Sequence, residues 1–190
     1  MKDKIPFYNI VNMFFVGCVA STCAIVLFKD AIHINKDNLT LAKDWIGIIS
    51  VLLVILMFEI GFVINRISSI LVEPILIKFK IWPRDGYSID ISEISQSNPK
   101  FQSMITEINL MRSHIFIYFV SCIMSFFLRK MEFSIISFFL IIVFVFGGRK
   151  HNNKINTIRK EYNKQKKREQ DTKLEAERKI REAEDNFMYI

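Results

Sequence analysis

Glu59 is the one charged residue in an otherwise uncharged run, residues 45–65. A helix rises about 1.5 Å per residue, so this carboxylate lies about 9 Å inside the Asn65 end of the run. At that depth in a bilayer it must be paired, protonated or open to a wet cavity, because an uncompensated charge costs about 3 kcal/mol or more. Arg112, at the mouth of a later apolar segment, and Asn9 and Asn12, in an earlier one, are the candidate partners. Two chemistries are open: an internal staple between spans, or a ring of Glu59 carboxylates around an oligomer axis that favours cations. The other reactive side chains are scattered. His33, His114 and His151 fall in three different segments without ligand spacing. Cys18, Cys23 and Cys122 sit inside apolar runs and read as small apolar fillers, neither a disulfide framework nor a zinc site. No nucleophile elbow, phosphate loop or dinucleotide-binding glycine pattern occurs, so neither an enzyme nor a metal or cofactor site is expected.

The elements that must position these residues are apolar helices. Residues 7–28 carry no charge, and residues 45–65 carry only Glu59. Each is long enough to cross about 30 Å of hydrocarbon. Residues 114–128 and 133–148 are shorter apolar runs separated by Arg129-Lys130-Met131-Glu132, and read as a helical hairpin. Two full spans are expected there, with snorkelling flanks; a re-entrant hairpin is the alternative. The first run continues ten residues past Cys18, too long for the apolar region of a signal peptide, so a retained span is expected. Gly17 and Ser21 give it a small-residue face for close helix approach. Of 26 Lys and Arg, 21 lie in residues 1–6, 66–113 and 149–190, and five in 29–44 and 129–132. By the positive-inside rule both termini and residues 66–113 are cytoplasmic.

The expected fold is therefore an all-α membrane protein. It has four transmembrane helices in a 2+2 layout, a small cytoplasmic α/β insertion and a long basic C-terminal helix. Its units are residues 1–65, 66–113, 114–148 and 149–190. Within the insertion the second span runs on to Glu73, and Pro74 kinks or ends it. Ile75, Ile77, Phe79 and Ile81 then alternate against Lys78 and Lys80, and Tyr87, Ile89 and Ile91 against Ser88, Asp90 and Ser92 after a turn at 83–86, which predicts a β-hairpin. Asn98-Pro99 opens a helix with Phe101, Met104, Ile105, Ile108 and Met111 on one face, merging into the third span. The insertion reads either as a juxtamembrane cap or as a docking platform or sensor.

The tail, residues 149–190, holds 13 basic and 8 acidic residues and no Pro or Gly. The acid-first pairs Glu169–Lys173, Glu175–Lys179 and Glu177–Arg181 favour a solvated helix. Lys164, Lys166, Lys167 and Arg168 form a basic cluster suited to anionic lipid; nucleic-acid binding lacks an aromatic platform beside it. Ile155, Ile158 and Tyr162 start a heptad seam that then lapses. Phe187, Met188, Tyr189 and Ile190 make an apolar tip suited to a partner's groove.

Gly61-Phe62-Val63-Ile64-Asn65-Arg66 enters the insertion, Tyr87-Ser88-Ile89-Asp90 and Asn98-Pro99-Lys100-Phe101 lie within it, and Glu107-Ile108-Asn109-Leu110-Met111-Arg112-Ser113 leaves it. With four spans and a basic helical tail, this pattern resembles the membrane subunit of the Kiwa anti-phage defence system (KwaA-like). The resemblance covers the whole chain. It implies a homo-oligomeric bacterial inner-membrane protein, a tetramer in that family, which senses infection at the envelope. It also implies a separate cytoplasmic partner that binds nucleic acid, and carries over no catalytic residue. The expected role is a sensor and scaffold; a pore-forming or channel effector and a transporter accessory are its rivals.

Overall fold

The computed structural model describes residues 7–29, 45–82, 94 and 99–188, with side chains for 9–29, 45–82, 94 and 100–181. Among the described residues four long helices carry the fold: α1 (Phe7–Phe28), α2 (Ile46–Lys78), α3 (Pro99–Phe127) and α4 (Met131–Met188). All four are long and apolar enough to cross a membrane. Their outward surfaces are rows of exposed Ile, Leu, Val and Phe, such as Ile48, Val51, Leu52 and Ile55 on α2. Water would penalise such surfaces and lipid does not. α1 packs mainly on α2, and α3 on α4, while α3 also touches α1 and α2.

The α1–α2 crossing is set by glycine. A Cβ on Gly17 would fall 1.7 Å from the Met57 carbonyl oxygen, and one on Gly61 1.8 Å from the Met13 carbonyl oxygen. The two backbones are in contact at this point, and no side chain fits between them. The α3–α4 pair packs through small polar residues instead. Ser125 and Ser137 are buried, and the Ser134 hydroxyl donates to the Cys122 carbonyl at 3.3 Å. Towards the tail end of this seam His114 and Tyr118 stack on Phe144, with centroids 4.8 and 5.7 Å away.

Two helix ends share one device. Lys80 and Arg129 both adopt φ 55°. After α2, the Lys80 amide bonds the Ile77 carbonyl and the Ile81 amide bonds Leu76. After α3, the Arg129 amide bonds Phe126 and the Lys130 amide bonds Ser125. This is the Schellman pattern, here without its usual glycine. The second turn also aims Lys130 at the end of α1, where its Nζ donates to the Leu27 carbonyl at 2.7 Å. A cation there satisfies orphan carbonyls and opposes the negative end of the helix dipole.

The expected α/β insertion is corrected in part. Residues 75–78 are helical, because α2 continues through Pro74 to Lys78. Proline removes a single backbone donor, and the helical seam Ser68–Val72–Leu76 still packs inward. The alternation of Ile75, Ile77, Phe79 and Ile81 is coincidental to that seam. No strand occurs among the described residues. The turn at 83–86 and Tyr87, Ile89 and Ile91 lie outside them. The helix opening at Pro99 does run unbroken into the third span, and Phe101, Met104 and Ile108 are buried as expected.

Candidate functional site

A polar cluster occupies the tail end of the bundle, where α1, α2 and α3 meet. Counting about twenty residues along α2 from Trp45, or back along α3 from Leu128, reaches Asn65 and Asn109, so the cluster sits at the edge of the hydrocarbon. Its centre is Arg112, which is 5% exposed. One guanidinium nitrogen donates to Glu73 Oε2, forming a buried ion pair, and the other donates to Asn65 Oδ1 at 3.2 Å. Asn65 Oδ1 also accepts from the Ser113 hydroxyl at 3.2 Å, and Ser113 lies 3.4 Å from Ser68. Thr106 donates to Asn9 Oδ1 at 3.0 Å and so ties α3 to α1. Low dielectric strengthens each of these bonds and makes each unpaired group costly.

Two cavities flank Arg112 and share Asn109 as a wall. The inner one, about 80 Å³, is lined by Asn9, Asn12, Asn65, Thr106 and Ser113 besides Asn109. Asn12 Nδ2 is buried without a partner among the described residues. A polar cavity of that size accommodates water, which supplies such a partner. The outer one is an open cleft of about 750 Å³ between α2 and α3. Further towards the tail, Trp82 is buried against α4, where a Cβ on Gly148 would lie 2.5 Å from its ring. His151 of α4 lies 2.9 Å from Glu107 of α3. Ile155, the first residue of the lapsing heptad seam, packs against the cluster containing Trp82 and Ile108.

Of the residues singled out from sequence, Asn9, Asn12 and Arg112 do meet in one cluster. Glu59 does not join them: its side chain is exposed, and Arg112 takes Glu73 instead. The staple exists with a different acid, because Glu73 is at the depth of Arg112 and Glu59 is about two helical turns before Asn65. Sequence reasoning missed Asn65, Glu73, Thr106, Asn109 and Ser113. The signal was present on α3, where Thr106, Asn109 and Ser113 recur at three and four residues beside Arg112. Lys164, Lys167 and Arg168 are exposed on α4, and Lys166 is half-buried. Phe187 and Met188 lie in the last turn of α4, beyond the residues whose side chains are described; Tyr189 and Ile190 lie outside the described residues. No protein-family model, curated protein or solved structure matches the chain.

Proposed function

We propose that this chain is a bacterial inner-membrane sensor and scaffold subunit of an anti-phage defence complex, non-catalytic itself, which recruits a cytoplasmic nucleic-acid-binding partner. The spans take the 2+2 layout, with both termini and the 66–113 segment in the cytoplasm. The observation that carries the scaffold role is α4. It is one helix of 58 residues, about 87 Å at 1.5 Å per residue, which packs on the bundle as far as Ile155 and runs on beyond it without a break. From residue 167 to 181 every side chain is exposed, and the Glu175–Lys179 pair closes at 3.3 Å. A solvated arm continuous with a span transmits position from membrane to cytosol. The defence setting comes from the resemblance to the Kiwa membrane subunit.

In this reading Lys164–Arg168 holds the base of the arm near anionic headgroups, and 187–190 docks the partner. The chain assembles as a homo-oligomer. Deleting residues 169–190 leaves membrane insertion and oligomerisation intact but abolishes partner co-purification and protection against phage. Full protection by the truncated chain would remove the arm from the mechanism. A second reading, a pore-forming effector, is favoured by one observation, the exposed Glu59 carboxylate on a span. Expression without the partner separates the two: a scaffold leaves the membrane potential unchanged, and a pore collapses it.

A further inference from the structure

The open cleft beside Arg112 carries chemistry that the scaffold role leaves unused. Its polar wall is Ser69, Glu73 and Lys78 from α2 and Asn109 and Arg112 from α3. Pro74 and Ile77 make the rest of the wall apolar. At about 750 Å³ it falls within the range of small-molecule sites. Glu73 and Arg112 neutralise each other, so among the described residues that line the cleft Lys78 leaves one net positive charge. Arg112 lines the same cleft and is itself 5% exposed. A single-charged anion that accepts hydrogen bonds complements that charge.

Position says where such an anion comes from. Ser69 follows Asn65 by about one turn, about 6 Å, which places the near end of the cleft in the headgroup layer just beyond the hydrocarbon. Ile70, 72% exposed, and Leu71 carry the lipid-facing surface of α2 past Arg66 to this level. Acyl chains therefore have an apolar wall that leads to the cleft. We infer that the cleft seats the phosphodiester headgroup of a phospholipid, with Lys78 and Asn109 as donors beside the Arg112–Glu73 pair. The inference rests on the helices spanning a bilayer and is independent of any role in defence.

The test is native mass spectrometry of the full-length protein in uncharged detergent. Lys164, Lys166, Lys167 and Arg168 are first changed to Gln, which removes lipid held by the tail. The probes are phosphatidylglycerol, phosphatidylethanolamine and inorganic phosphate. One phospholipid per chain should be retained above the rest, and Lys78→Glu should weaken it about fivefold or more. Lys80→Glu, outside the cleft, should leave it unchanged. Retention that ignores Lys78→Glu, or falls equally with Lys80→Glu, overturns the site as diffuse surface charge. Displacement of the lipid by inorganic phosphate overturns the lipid as the source. Failure to retain any phospholipid overturns the proposal entirely.

Discussion

Glu59 and Glu73 are carboxylates on the same helix, fourteen residues apart, and they have met opposite fates. Glu73 is 15% exposed and ion-paired with Arg112 inside a hydrogen-bonded cluster. Glu59 is exposed on the span, without Arg112. Fourteen residues is four turns to within a few tens of degrees, so both point from nearly the same face of α2. The difference is the neighbour at each depth. Hydrogen bonds from α2 to α3 occur at Asn65, Ser68 and Glu73, all towards the tail. One acid is therefore part of the fold, and the other is left for lipid, water or another molecule.

The largest effect should come from breaking the buried pair. Arg112→Leu strands Glu73 and should destabilise the chain by about 3–5 kcal/mol, whereas the double change Arg112→Met, Glu73→Leu recovers much of it. Thermal unfolding in detergent reads both. Next is the glycine crossing of α1 and α2. Gly61→Ala drives a methyl into the Met13 carbonyl and should cost about 1–3 kcal/mol or more, since backbone cannot move aside as a side chain does. An unchanged melting temperature would show that α1 and α2 do not touch at Gly61. Replacing the left-handed residues should help slightly: Lys80→Gly and Arg129→Gly each relieve a strained φ worth about 1 kcal/mol, offset in part by glycine's greater freedom when unfolded. Smallest is Glu59→Gln, expected to shift the fold's stability by about 0.5 kcal/mol or less. A large loss there would mean that Glu59 has a partner in a neighbouring copy.

The spans were legible because a bilayer imposes length and apolarity, and sequence displays both directly. Residues 7–28 coincide with α1, and the start of α2 falls beside Trp45. The end of α2 was not legible. Pro74 looked like a stop, and four alternating apolar residues looked like a strand, yet Val72 and Leu76 were already continuing the inward seam. The site was legible in type but not in partnership. Asn9, Asn12 and Arg112 could be named as polar groups at membrane depth. Which acid meets Arg112 depends on how two helices register after a link of about twenty residues, and that is a property of packing. The αL conformation of Lys80 and Arg129 carried no sequence signal, since neither residue type favours it.

The central claim is that Arg112 is held by Glu73 and not by Glu59. A double-mutant cycle measures it directly. Arg112→Met is combined in turn with Glu73→Gln and with Glu59→Gln, and thermal unfolding gives the coupling free energy of each pair. The account predicts a coupling of about 1–3 kcal/mol for Arg112 with Glu73 and about zero for Arg112 with Glu59. A substantial coupling to Glu59 with none to Glu73 would contradict it.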